Sequence, residues 1–279
     1  MKNTLLSLIF LVGAFVSAQV QTPQPSPTAQ LSQTVGLTEV TVKYSRPSKK
    51  GRDIFGALVP FGEIWRTGAN QNTIISFSDA VTIADHEIAG GEYAIYTRPG
   101  KATWEVFFYK ETTNWGNPGE WDAAKVAATL EVAAVDTDNI ESFEIWISKL
   151  HNNGATLNIG WSTTMVSVPF GVPTVAKATA SIQEAMKNNP KDRDYYNAAV
   201  YYLQEGQDLN QAKEWIDKAV AENGEAYWYL RQQSLILAGL NDVDGAIAVA
   251  KSSLELATKA GNTDYITLNE ASIAEWSKK

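Results

Sequence analysis

The chain has 279 residues, 44% hydrophobic and 19% charged, enough for one large or two ordinary domains around a real core. Its formal charge of −8 argues against a nucleic-acid backbone as partner, because phosphate binding needs clustered cations. It has no cysteine and two histidines, His86 and His151, which excludes thiol catalysis, disulfides and cysteine-ligated metal and leaves little room for a histidine-based site.

Lys2 gives a positive start, and Leu5 to Val16 an apolar run of about 12 residues, short of the roughly 20 that a bilayer span needs. Val16-Ser17-Ala18 is a small-residue cleavage pattern. These features predict a signal peptide over residues 1–18 with a mature start at Gln19; an uncleaved anchor is the alternative. No cysteine follows, which excludes a lipoprotein. The mature chain is expected to be exported, periplasmic or extracellular, without a membrane span and, lacking Lys2, one charge more negative. Residues 19–29, QVQTPQPSPTA, predict an extended, partly mobile linker.

Residues 30–171 predict a β-domain, because their periodicity is mostly two. Ile75 and Phe77 oppose Ile74 and Ser76, and Tyr93, Ile95 and Thr97 oppose Ala94, Tyr96 and Arg98. Trp104, Val106 and Phe108 alternate with Glu105, Phe107 and Tyr109, and Phe143, Ile145 and Ile147 alternate with Glu144, Trp146 and Ser148. Turns are signalled at Asp85-His86, Gly90-Gly91, Pro99-Gly100 and Asn152-Asn153-Gly154, which makes both histidines turn residues. Several short half-buried strands predict an antiparallel sandwich or barrel.

Within this domain, Arg46 to Asn70 reads as a long irregular connection. Gly51, Gly56, Gly62 and Gly68 permit turns, while Phe55, Leu58, Val59 and Phe61 pin it to the core. Arg46, Lys49, Lys50, Arg52 and Arg66 place cations in an acidic protein. Two readings follow. In the first, Arg46, Arg52, Trp65, Arg66 and Asn70 form an anion or polar-ligand site, with Arg66 beside Trp65 as a fork next to a stacking face. In the second, the arginines pair with Asp53, Glu63 or loop carbonyls and hold the connection in place.

The block also carries a family resemblance. Tyr44-Ser45-Arg46-Pro47, Gly51-Arg52-Asp53-Ile54-Phe55-Gly56, Leu58-Val59-Pro60-Phe61-Gly62 and Trp65-Arg66-Thr67-Gly68-Ala69-Asn70 resemble the bacterial domain of unknown function 2911 family. The resemblance continues through Ala89-Gly90-Gly91-Glu92-Tyr93, Pro99-Gly100, Trp104 and Asn114-Trp115-Gly116 to Val166-Ser167-Val168-Pro169. It implies a secreted bacterial protein, in some members with tetratricopeptide-like helices appended. The resemblance brings no catalytic residue with it.

Thr112 to Trp121, TTNWGNPGEW, is a second candidate. Trp115 and Trp121 beside Asn, Gly and Glu have the makings of a sugar platform, an aromatic face for the C–H side of a ring and amides for its hydroxyls. The alternative is that both indoles staple the loop to the rim of the β-domain.

From residue 172 the period becomes helical. Ala178, Ala212 and Ala246 keep a step of about 34, as do Ile182, Ile216 and Ala250, and Ala185, Ala219 and Ser253. This pattern is similar to degenerate tetratricopeptide repeats over 172–279, with helices near 174–188, 193–205, 209–222, 225–238, 242–260 and 263–277. A plain helical bundle is the alternative. The fold class is therefore α+β in separate domains, a β-sandwich or barrel followed by a helical hairpin array.

Catalytic templates are poorly filled. His86-Glu87 lacks the second histidine of a zinc helix, and no nucleophile elbow, P-loop or dinucleotide fingerprint occurs. Asp136 and Asp138 are paired carboxylates of the kind used in glycoside hydrolysis, placed by pattern in a connection before a strand. The leading expectation is an exported, non-enzymatic binding module for a saccharide, another small polar ligand, an envelope component or a protein, with no cofactor and no metal. The second is an adaptor that binds a protein or peptide through its helices, and the third a carboxylate-dependent hydrolase.

Overall fold

The computed structural model describes residues 21–278, so the expected leader over 1–18 and its cleavage before Gln19 lie outside the described residues. The chain divides into two compact units after Pro173.

The first unit contains ten strands: β1 (Thr28–Val35), β2 (Thr38–Ser45), β3 (Thr73–Phe77), β4 (Val81–Ile83), β5 (His86–Ile88), β6 (Gly91–Pro99), β7 (Thr103–Tyr109), β8 (Val126–Ala133), β9 (Val135–His151) and β10 (Gly154–Gly171). They form a six-stranded sheet in the order β1-β2-β3-β6-β7-β8 and a four-stranded sheet in the order β5-β4-β10-β9. The pairing is antiparallel throughout. Both sheets are open, with β1 and β8 at the edges of one and β5 and β9 at the edges of the other. The barrel alternative is therefore corrected, because a barrel requires the outer strands to pair with each other.

Alternation places the core. In β3, Thr73, Ile75 and Phe77 are buried while Ile74 and Ser76 are half-buried. Val40 and Val42 from β2, Ile75 from β3, Phe143 and Ile145 from β9, and Leu157 and Ile159 from β10 belong to one shared core. The half-buried pattern fails at β6, where Tyr93 to Thr97 are all buried. The reason is tertiary: the connection after β7 folds back, and Trp121 packs with Ala94, Tyr96, Phe107 and Tyr109 in a small second core on the outer face of that sheet.

Three sequence expectations shift position. The β4–β5 turn is made by Ala84 and Asp85, both at positive φ, so His86 opens β5 instead of turning the chain. His151 closes β9 against Gly154, and the turn belongs to Asn152 and Asn153. The positive φ of Ala84 and Asp85 suits a two-residue hairpin because its twist matches the strands. Asp136 and Asp138 lie within β9, exposed, not in a connection before it.

The second unit contains six helices: α1 (Thr174–Lys187), α2 (Asp192–Gln204), α3 (Leu209–Glu222), α4 (Tyr227–Gly239), α5 (Val243–Ala260) and α6 (Thr263–Trp276). Their starts follow capping chemistry. The Asp208 side chain accepts from the backbone of Asn210 and Gln211, Asp242 from Gly245, and Asn262 from Tyr265. Gly261 ends α5 in the left-handed conformation. The small residues at the repeating step are interior: Ala212 and Ala219 on α3 and Ala246 and Ser253 on α5 are fully buried. No helix among the described residues is long and apolar enough to cross a membrane.

Candidate ligand-binding site

The connection from β2 to β3, residues 46–72, carries the site. Its last turn is a tight hydrogen-bonded knot. Trp65 and Thr97 exchange backbone hydrogen bonds of 2.8 and 2.9 Å, which clamp the loop to β6. The Trp65 Nε1 donates to the Gly68 carbonyl at 3.2 Å. The Thr67 hydroxyl bonds the Thr97 hydroxyl at 3.1 Å, and the Thr73 hydroxyl donates back to the Thr67 carbonyl. Thr67, Gly68 and Asn70 all have positive φ, at 55°, 143° and 59°. A β-branched residue in that region is strained, and such strain concentrates at sites held in place by their surroundings.

The Trp65 ring is buried in an aromatic cluster. It stacks on Trp161 with centroids 6.0 Å apart and planes 16° apart. It meets Phe143 and Phe55 edge-on at 5.4 and 6.0 Å. Beside this cluster lies a cavity of about 610 Å³ that Arg66, the next residue, helps to line. Lys50, Arg52 and Arg66 contribute the cations of that basin, Trp65, Trp161 and Leu58 its apolar wall, and no Asp or Glu lines it among the described residues.

The cations differ in how they are held. Arg52 is tied to its own turn, its Nε donating to the Lys49 carbonyl at 2.9 Å and its Nη2 to the Ser48 carbonyl at 2.6 Å. Arg66 is half-buried, and its Nε is shielded from solvent without a hydrogen-bond partner. Burial pushes its pKa down from the ordinary guanidinium range, but a guanidinium stays protonated in proteins. Arg46 is elsewhere: its Nε donates to the Phe143 carbonyl at 3.0 Å and its Nη2 lies 3.7 Å from Glu144. Arg52 is thus held by loop carbonyls, one of the partners the sequence offered, and Arg46 by β9, neither of them through Asp53 or Glu63.

A second, smaller cavity of about 160 Å³ adjoins this one in sequence, lined by Asn70, Gln71, Gln24 and Trp115 among others. Trp115 is 78% exposed. The flanking backbone is anchored: the Tyr96 hydroxyl donates to the Gly116 carbonyl at 3.4 Å and accepts from the Asn114 amide at 3.3 Å, and the Asn117 amide donates to the Ile64 carbonyl at 2.6 Å. Burial raises the Tyr96 pKa, which keeps its hydroxyl protonated for that donation. Trp121 is in neither cavity lining. It stacks on Tyr109 with centroids 4.8 Å apart and meets Phe107 edge-on at 5.1 Å.

The structure thus brings Arg52, Trp65 and Arg66 together, puts Asn70 and Trp115 in the neighbouring cavity, holds Arg46 against β9, and packs Trp121 on Tyr109, where it lines a separate open cavity of about 550 Å³ with Arg98 and Phe107. Sequence reasoning missed Lys50 as a wall of the basin, although it had registered its charge, and missed Trp161, Gln24 and Gln71. Trp161 carried no separate signal, because alternation makes it one more inward strand residue. No cluster of three or more His, Cys, Asp or Glu suited to a metal is present among the described residues.

The family described as "Protein of unknown function (DUF2911)" matches residues 26–170, more than half of the chain, and the chain belongs to that family. Among curated proteins none matches it.

Proposed function

We propose that this chain is an exported, non-enzymatic binding module whose β-unit, an antiparallel sandwich, holds a small anionic ligand in the Arg66 basin. The observation that carries this reading is a cavity of about 610 Å³ with three cations in its wall, one of them with a buried Nε that no protein acceptor satisfies. Buried polar atoms normally find partners, and a guanidinium offers a planar fork matched to carboxylate or phosphate. The net charge of −8 does not oppose this locally, since charges farther than about 10 Å are largely screened at 0.1 M salt. Titration calorimetry of the purified chain with inorganic phosphate and with citrate tests it. Saturable binding that weakens with salt and is lost in Arg66→Met supports the reading; absent binding, or equal binding by the variant, overturns it.

A second reading, an adaptor acting through the helices, draws on the full burial of Ala212, Ala219, Ala246 and Ser253. Small residues at a step of about 34 let antiparallel helices approach closely, as in tetratricopeptide repeats. A protein or peptide partner kept by the full chain and lost from a chain ending at Pro173 would support it; retention by both would remove it.

A further inference from the structure

The Trp115 cavity lies outside the Arg66 basin, has Lys43 as the cation in its wall, and carries the most exposed large apolar side chain among the described residues. At 78% exposure, Trp115 stands well beyond Leu150 at 50% and Leu37 at 49%, the next large apolar side chains in water. Burying an indole removes on the order of 150–250 Å² from water, so leaving one out forgoes a large stabilisation. A floppy loop would explain exposure trivially, but this loop is pinned on both sides of the indole. Asn114 and Gly116 are both bonded to the Tyr96 hydroxyl, Asn117 to the Ile64 carbonyl, and the Asn72 backbone N–H donates to the Asn114 carbonyl at 3.2 Å. The residues before and after Trp115 are anchored while the ring between them is presented.

Carboxamides line the cavity beside the ring. Gln24, Asn70 and Gln71 are all in its wall, each able to donate and accept. Tyr44 and Ile74 give that wall some apolar surface, but polar groups dominate it, with Asn72 and Lys43 beside the three carboxamides; an exposed aromatic face beside carboxamides matches a pyranose ring, whose C–H side packs on the indole while its hydroxyls bond the amides. The two cavities also share their dividing rib. Gln24 lines one and Pro25 and Ser26 the other, just as Asn70 lines one and Gly68 and Ala69 the other. The Asn70 amide donates to the Ser26 carbonyl at 3.2 Å and ties the two segments into one rib.

We infer that Trp115 with Gln24, Asn70 and Gln71 forms a sugar-ring subsite beside the Arg66 basin, and that the ligand is an acidic saccharide carrying a uronate carboxylate. The inference deepens the anion reading and rests on it for the acid group alone. The test is calorimetry of the purified chain with oligogalacturonate, the matching carboxyl-reduced neutral oligosaccharide, and inorganic phosphate, for the parent, Trp115→Ala, Trp115→Phe and Arg66→Met. The expected result is oligogalacturonate affinity reduced roughly tenfold or more by Trp115→Ala, largely kept by Trp115→Phe, and lost in Arg66→Met, with phosphate affinity untouched at Trp115. Thermal unfolding of Trp115→Ala should match the parent, because the indole is mostly in water. Oligogalacturonate affinity unchanged in Trp115→Ala overturns the sugar subsite and leaves the anion reading standing. Neutral and acidic oligosaccharide bound equally, with no effect of Arg66→Met, overturns the acidic assignment; phosphate binding that is likewise unchanged in Arg66→Met overturns the anion reading with it. Failure to bind oligogalacturonate overturns the inference, and phosphate then decides the basin by itself.

Discussion

Arg66→Met separates a cation kept for a ligand from one kept for the fold. In the free protein the Arg66 Nε is buried and unpartnered. A buried unsatisfied polar atom costs about 1–3 kcal/mol, and methionine removes it while keeping a similar unbranched apolar stem. Because Arg66 is only half-buried, the lower end applies, and the variant should be about 1 kcal/mol more stable than the parent. For a unit of this size that is a rise of about 2–4 °C in the unfolding midpoint. Ligand reverses the order. At about 100 times its dissociation constant, a bound anion adds about 2.7 kcal/mol to the parent and nothing to the variant. Differential scanning calorimetry without and with saturating phosphate should therefore show the two proteins exchanging rank. A midpoint several degrees below the parent in the absence of ligand would refute the reasoning, since it would make the guanidinium a partner of the fold.

The other predictions concern what holds the site. Trp121→Ala removes the indole covering Ala94, Tyr96, Phe107 and Tyr109 and should cost about 2–3 kcal/mol in urea unfolding, less than a fully buried tryptophan because Trp121 is half-buried. Gly68→Ala puts a Cβ 3.2 Å from the Ser45 carbonyl oxygen at a φ of +143°, so a loss of about 2 kcal/mol or more is expected, together with weakened anion binding as the Trp65–Arg66 turn shifts. Ala246→Leu overpacks a fully buried position of α5 and should cost about 1–3 kcal/mol in the helical unit, read by helical circular dichroism, with phosphate binding unaffected.

Local order is largely legible in the amino-acid sequence. Alternation locates β3 and β9 with the inward sides correct, because a half-buried strand writes its burial at period two. The six helices end within two residues of the positions expected from apolar period and caps, since both signals act within a few residues. Residues 46–72 are a glycine-bearing connection whose motifs point to the family, but of the four residues expected to pin it only Val59 is buried and Phe55 half-buried; Leu58 and Phe61 are exposed, and Ile54 and Trp65 take their place in the core. What stays hidden is the choice among equivalent side chains. Arg46 and Arg66 look alike in sequence, yet β9 brings Glu144 and the Phe143 carbonyl to Arg46 while the Arg66 Nε is left without an acceptor. Trp115 and Trp121 sit in one ten-residue stretch, yet the outer face of β6 and β7 takes up Trp121 and leaves Trp115 in water. Chain-local chemistry sets where strands, helices and turns form, whereas the partner of each arginine and the covering of each indole depend on which distant segment the sheet register carries against it.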